Sequence, residues 1–366
     1  MKLKAKSSQC MMVKSIHYVK KLIACAMVAV ILFTCCTMAF AAGDEQIALT
    51  PEQLKGMTQE QLIELSQEKS DATLNKMMQL FLNGNKTELN KYLDALGFAT
   101  TYDEYAEQKQ ESYQETSNPG IQPLWSSDYD GDKGADMNCH EGITGGGFFI
   151  YLGAMNILFN SDGFGYTLSD LMILNKASEY PDKEFGSIMT GFAGHFYDPD
   201  TKKNFLNDNM NTAVTNARYH YDSAIEKYKN EDRVGAMTEL GYSLHYLQDA
   251  GEPHHASNLT ALRLEDSPES GRFNHAKFEE RASKLLYQME IDLEDIDYSL
   301  DFYKNYEIYY LDYYVHDAAV VAKGFKDMAI SEEITQQNLA AALLIYKSMM
   351  DTSGILYKFA KNVGMI

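Results

Sequence analysis

Cysteine is scarce in this 366-residue chain: of five, Cys10, Cys25, Cys35 and Cys36 fall in the first 41 residues, and only Cys139 lies beyond. A lone cysteine excludes an internal disulfide in the remainder, although an oxidising compartment would permit one. Positive charge is also in short supply, with 32 Lys and Arg against 52 Asp and Glu, a formal charge of -20 and a pI of about 4.8. Such a surface repels polyanions, so nucleic acid is not an expected partner. Tryptophan occurs once, as Trp125, and one long apolar run extends from Leu22 to Phe40. Hydrophobic residues are plentiful at 45%, enough to bury a sizeable core in one or two domains.

Residues 1–41 hold six lysines and no acid, and the apolar run ends in Ala39-Phe40-Ala41, a small-residue cleavage pattern. This reads as a secretory signal peptide, so the chain is expected to be secreted and extracellular. The basic part is unusually long, which leaves Met11 or Met12 as alternative starts. A membrane anchor is disfavoured because the run is barely long enough to span a bilayer and an acidic stretch follows it. Lipidation of Cys35 or Cys36 is disfavoured by Leu32-Phe33-Thr34, which lacks the small residue such a site wants. Without the signal the balance becomes 26 basic to 52 acidic residues.

Residues 42–124 are rich in Gln, Glu and Lys and contain no histidine. Thr50-Pro51-Glu52 is a helix start, Leu62, Ile63 and Leu65 follow helical periodicity, and a second helical stretch runs from Leu74 to Leu96 with Met77, Met78, Leu80, Phe81 and Leu82. Ser117 to Pro123 is rich in helix breakers and suits a protease-sensitive boundary. From Trp125 to Ile366 the pattern is helical over 211–229, 233–249, 275–296 and 337–362, with no strand alternation and no fixed repeat. A single all-α domain over 125–366 is expected.

Chemistry concentrates in HYLQDAGEPHHASN, from His245 to Asn258. His245 and Asp249 stand four apart and project from one helix face. Gly251 and Pro253 end that helix and turn the chain, so that His255 can swing back toward the same centre. HAKFE repeats the spacing with His275 and Glu279, and GHFYDPDT offers His195. With His140, five of the nine histidines fall in these short patterns. Histidine and carboxylate donors without thiolates suit zinc, and the whole reads as a metal-assisted hydrolase site. His254 competes with His255, since neighbours on a turn point different ways. His220 and His316 sit among tyrosines and apolar residues, where packing is the simpler role, and Cys139 reads as a small buried residue.

On HYLQDAGEPHHASN and GHFYDPDT, the chain from Trp125 onward resembles the bacterial zinc-dependent phospholipase C family of the single-domain type. The resemblance implies a multi-helix domain of the phospholipase C/P1 nuclease-like kind, preceded by a helical propeptide, with three zinc ions in a cleft. It further implies that Trp125, His140 and Asp249 hold one ion, that Asp182, His195, His245 and Asp249 hold a second, and that His255, His275 and Glu279 hold the third. Glu184 is close enough to rival Asp182.

In that family the mature chain begins with a tryptophan whose free amino group binds zinc. An amide nitrogen inside an uncut chain has no free lone pair, so the resemblance implies cleavage after Leu124 by an activating protease and makes 42–124 a propeptide of a zymogen. The alternative is a permanent N-terminal helical domain. Clustered dications neutralise phosphate and lower the pKa of bound water toward roughly 7, and Asp182 is then the catalytic carboxylate that orients or deprotonates it. Asp128 and Phe192 occupy the positions that the family uses to bind a choline headgroup. Lys183 departs from that pattern and would repel a quaternary ammonium.

The expected activity is hydrolysis of glycerophospholipid to diacylglycerol and a phosphorylated headgroup at a phospholipid membrane surface, by a monomer. An S1/P1-type zinc nuclease or a non-catalytic zinc-binding surface protein are the alternatives. Tyrosines 303, 306, 310, 313 and 314 follow helical spacing and read either as a core stripe or as an interfacial surface.

Overall fold

A computed structural model describes residues 48–98, 100, 139–159, 165–183, 188–260, 272–288 and 296–366. Residues 1–47, the linker with Leu124, Trp125, Asp128 and Glu184 lie outside the described residues. Contacts divide the chain into two units, Met1–Gln46 with Glu290–Asp297, and Ile47–Met289 with Tyr298–Ile366. The second unit carries all the elements below. Among its described residues there is no strand, only an isolated bridge between Asp198 and Lys203.

Helix starts are written locally. Thr50 and Thr58 form capping boxes with Gln53 and Gln61 at the heads of α1 (Pro51–Leu54) and α2 (Gln59–Glu64). Ser66 and Asn85 cap α3 (Gln67–Leu82) and α4 (Lys86–Ala95). α3 buries Leu74, Met77 and Met78 in a core that it shares with residues of α5 (His140–Phe159) and α6 (Leu168–Ser178). Phe81 stacks on Phe149 at 5.7 Å. Ser70 Oγ accepts the Leu168 backbone N–H at 2.9 Å, so an N-terminal side chain satisfies a donor at the head of α6. The segment 48–98 is therefore built into the same core as the helices that follow.

Next come a short 3₁₀ turn (Tyr180–Lys183), α7 (Ile188–Ala193), α8 (Ala213–Lys229) and α9 (Arg233–Ala250). Arg233, the first residue of α9, donates to Asp170 at 3.0 Å and to the Gly165 carbonyl at 2.7 Å, while Asp170 closes a capping box with Thr167. One charged cluster thus ties the heads of α6 and α9, which lie in contact. A second 3₁₀ turn (His255–Ser257) precedes α10 (Arg272–Gln288), α11 (Leu300–Ile308), α12 (Leu311–Gly324), α13 (Lys326–Ala329) and α14 (Ile334–Val363). The expected stretch 275–296 is helical only to Gln288 among its described residues.

α5 and α14 are long and apolar enough to cross a bilayer, but 67% and 72% of their most apolar windows are buried, and the two pack on each other. Their approach needs glycine. A Cβ at Gly147 would lie 2.6 Å from Thr352 Cβ and 2.8 Å from the Met349 carbonyl oxygen. The tyrosine stripe divides between the two readings: Tyr303, Tyr306 and Tyr314 are buried, with Tyr306 Oη donating to Asp351 at 2.7 Å, whereas Tyr310 is 83% exposed and Tyr309 and Tyr313 are 49% exposed.

Gly147→Ala is expected to destabilise the fold by about 1–3 kcal/mol, because backbone on both helices would have to move. Gly324→Ala, where nothing lies within 4 Å of the added methyl, should be neutral or stabilising. Urea unfolding of both variants checks this contrast, and equal midpoints would refute it.

Candidate metal centre

Asp249 sits near the C-terminal end of α9, one turn beyond His245, and both are buried. The turn after α9 returns His255 so that its Nδ1 lies 3.1 Å from Asp249 Oδ1. α5 begins with His140, whose Nε2 is 3.5 Å from the same oxygen. His195, two residues past α7, places Nδ1 2.6 Å from Asp249 Oδ2. His245 Nε2 is 3.0 Å from Asp249 Oδ2 and 3.0 Å from His195 Nδ1. Asp182, on the first 3₁₀ turn, lies 3.4 Å from His245 Nε2 and 3.6 Å from His195 Nδ1.

Further along the same cleft, His275 and Glu279 stand one turn apart on α10, with Nε2 and Oε1 separated by 3.0 Å. That Glu279 oxygen is 3.5 Å from His255 Nε2. Donor atoms therefore gather in three neighbouring groups: Asp182, His195 and His245; His140, His245 and Asp249; and Glu252, His255, His275 and Glu279. Asp249 also reaches His195 and His255, and so joins all three.

Second partners decide which ring nitrogens face inward. His245 Nδ1 donates to the Ser178 carbonyl at 2.8 Å, leaving its Nε2 lone pair toward Asp182 and Asp249. His140 Nδ1 donates to Gln248 Oε1 at 2.7 Å. The Gln248 amide nitrogen donates to the Thr144 and Thr352 hydroxyls at 3.0 and 3.2 Å, which holds its carbonyl toward His140. Such outer partners are what metal-binding imidazoles use to fix tautomer and ring plane. Phe196 stacks on His255 at 4.5 Å and closes its other side.

The electrostatics follow from the packing. Burial resists ionisation of Asp249, but the neighbouring imidazoles of His245, His195, His255 and His140 hold its carboxyl well below the usual range. Burial likewise opposes ionisation of Glu252 and Glu279. Glu252 is nonetheless brought down to about 2, chiefly by His254, and Glu279 is lowered by His275 and His255. Burial would strip the proton from His255, yet Asp249, Glu279 and Glu252 keep its pKa well above the ordinary value. The Cys139 thiol, desolvated and facing Glu279, Glu252 and Asp249, is pushed up to about 12 and remains protonated. Imidazole nitrogens and carboxylate oxygens gathered at 2.6–3.6 Å from one another suit divalent metal ions bound through roughly 2.0–2.1 Å bonds.

The structure thus brings together Asp182, His140, His195, His245, Asp249, His255, His275 and Glu279. Phe192 is 4% exposed, its ring packed 5.2 Å from Phe196 and 5.7 Å from Phe205. His254 is also buried, with its ring 4.6 Å from His275 and nearly parallel to it. Sequence reasoning passed over Glu252 and Gln248. A carboxylate three residues before His255 in the same turn was the available signal for Glu252, whereas nothing in the spacing marks Gln248. The cleft is also lined by apolar side chains, Ile143 of α5, Phe278 and Ala282 of α10, and Ala341, Leu344 and Ile345 of α14.

Fold and site together define a helical protein with neighbouring groups of histidine and carboxylate donors that could hold metal ions. No protein-family model matches the chain. Phospholipase C of Bacillus cereus is 34% identical over 132 residues, covering 36% of this chain and 42% of the relative. Phospholipase C of Clostridium perfringens is 29% identical over 205 residues, covering 52% and 49% respectively. An alpha-toxin structure from Clostridium absonum overlaps with a TM-score of 0.49 at 23% identity, covering 61% of this chain and 64% of that one. The chain is a relative, at modest identity, of the bacterial phospholipases C. It spans less than half the length of these two curated relatives.

The neighbouring carboxylates raise the pKa of His255, whereas a metal ligand must be a neutral imidazole, so metal loading near neutral pH should release protons. Calorimetric titration in buffers of different ionisation enthalpy checks it, and a buffer-independent heat would contradict it. His255 stabilises the metal-free fold fully below its ordinary pKa of 6.5, and this is lost as pH rises through the raised value. The Asp249 contribution is present above 3.8 and lost as pH falls through its depressed value.

Proposed function

We propose that this chain is a secreted zinc-dependent phospholipase C that cleaves glycerophospholipid into diacylglycerol and a phosphorylated headgroup. The observation that carries this reading is a cleft lined both by the donors His140, Asp182, Asp249, His255 and Glu279 and by the apolar side chains of Ile143, Phe278, Leu344 and Ile345, with His195, His245 and His275 buried in the same donor groups. A phosphodiester bonded to an acylated glycerol presents these two chemistries. The relatives named phospholipase C point the same way. A single-stranded nucleic acid would meet an apolar wall on a chain of formal charge -20.

Zinc held by these donors supplies charge neutralisation of the phosphate and a water acidic enough to ionise near neutral pH. His140, Asp182, His195, His245, Asp249, His255, His275 and Glu279 would hold the ions, with Trp125 added once its amino group is free. Asp182, at the cleft surface and within 3.6 Å of both His195 and His245, accepts the proton of the attacking water. The new bond would join water oxygen to phosphorus as the P–O bond to glycerol breaks, and the proton taken up by Asp182 would pass to the leaving glycerol oxygen. The apolar wall receives the glycerol side and excludes water from it. Headgroup contacts are assigned to Asp128 and Phe192, and the burial of Phe192 requires its neighbours Phe196 and Phe205 to yield before it can touch a ligand.

Maturation belongs to the same reading. Residues 1–41 are a signal peptide, and cleavage after Leu124 by a protease converts a zymogen into the active enzyme. Because Leu74, Met77 and Met78 share the core of α5 and α6, and each such buried side chain contributes roughly 1.5–3 kcal/mol, the cleaved segment should stay bound. Native mass spectrometry after cleavage at an engineered protease site in 117–123 should show both fragments in one complex. Separation into two species would show that the N-terminal helices are dispensable.

Asp249→Asn should abolish hydrolysis of phosphatidylcholine and phosphatidylethanolamine vesicles by the processed protein. Activity confined to single-stranded DNA would overturn the proposal, as would full lipase activity in the variant.

A further inference from the structure

Glu252 has no place in the ligand set that the sequence suggested, yet it is aimed at the donors of α10. Its Oε2 accepts the His255 backbone N–H at 2.7 Å, so the carboxylate is fastened to the turn that presents His255. The same oxygen lies 3.9 Å from His275 Nε2. Glu279 Oε1 lies 3.0 Å from that nitrogen and 3.5 Å from His255 Nε2. One donor atom from each of the four residues falls within 4.8 Å of all the others. Tetrahedral coordination with bonds of roughly 2.0–2.1 Å separates donors by about 3.4 Å, in the middle of these spacings.

Its other oxygen is held as well. Oε1 accepts from His254 Nδ1 at 2.7 Å, and the fully buried His254 ring lies 8° from parallel with His275. His254 is thus locked between the carboxylate and a ring of the same site, as partners that orient metal ligands are. We propose that Glu252 is a fourth protein ligand to the ion held by His255, His275 and Glu279, with His254 as its positioning residue. The proposal rests on the reading of these groups as a metal centre. Two carboxylates and two neutral imidazoles exactly match a dication in charge, which a site buried at His255 and His275 favours over a residual positive charge. Four protein donors also make this the closed, structural member of the centre. The reaction is left to the side formed by His140, Asp182, His195, His245 and Asp249.

Zinc per chain, measured by mass spectrometry of the element after equilibration with chelators of graded strength, tests the assignment without an activity readout. Glu252→Gln should weaken one zinc by at least about 10- to 100-fold and leave the others unchanged, and His254→Gln should act in the same direction to a smaller extent. Retention of every zinc by Glu252→Gln, with unaltered chelator resistance, would overturn the proposal. A wild-type protein without tight zinc would instead overturn the metal reading on which it rests. Should Glu252→Gln fail to fold, anomalous diffraction at the zinc edge from wild-type crystals still decides. A Glu252 oxygen at roughly 2.0–2.2 Å from the ion supports the proposal, and one beyond about 3 Å defeats it.

Discussion

One buried carboxylate, Asp249, constrains the whole site. Four imidazoles, His140, His195, His245 and His255, lie within 2.6–3.5 Å of its two oxygens, in an interior where an isolated charge would be intolerable. Those imidazoles come from the head of α5, the turn after α7, the body of α9 and the turn beyond it. Each element has to arrive within a few tenths of an ångström of the others for the donors to meet. The outer hydrogen bonds to the Ser178 carbonyl and to Gln248 make that convergence rigid rather than approximate.

The scaffold meets this demand through close helix contacts. α5 can run against α14 only because Gly147 brings no side chain to the contact, and α14 in turn supplies Thr352 to hold the Gln248 amide. A core glycine is thereby linked to the orientation of a metal-site histidine through one hydrogen bond. At the far end of α9, the Arg233–Asp170 cluster keeps that helix registered against α6. The N-terminal helices pack on α5 and α6 from another direction and share their core, which makes them part of the support rather than an appendage.

The same arrangement gives the cleft its mixed chemistry. Its lining combines donors from the head of α5, the first 3₁₀ turn, the end of α9, the turn beyond it and α10 with apolar side chains of α5, α10 and α14. The similarity to bacterial phospholipases C is modest in identity and covers less than half of each relative. The exposed aromatic corner of Tyr309, Tyr310 and Tyr313 lies on α12 and the turn before it, with Tyr309 and Tyr313 packed against the buried Tyr314 of the same stripe. Helical periodicity alone could not divide that stripe, because a continuous pattern says nothing of where a helix is interrupted, as here between Ile308 and Leu311.

Much of the site was legible in the chain because i,i+4 spacing on a helix is a local property: His245 with Asp249 and His275 with Glu279 needed only helical geometry, and Gly251 with Pro253 only turn chemistry. Helix heads at Thr50, Thr58 and Thr167 were local in the same sense, each written in a cap and its partner three residues on. What spacing could not supply was the meeting of segments more than fifty residues apart, such as His140 with Gln248 and His195 with Asp249, since only packed helices bring them within bonding distance. Glu252 and Gln248 acquire meaning in the same way, because a carboxylate or amide is ordinary until tertiary structure decides what faces it. The sequence by itself determined which donors were available and on which helix faces. The fold decided that they surround a shared carboxylate, because burying that charge is possible only where all of them arrive together.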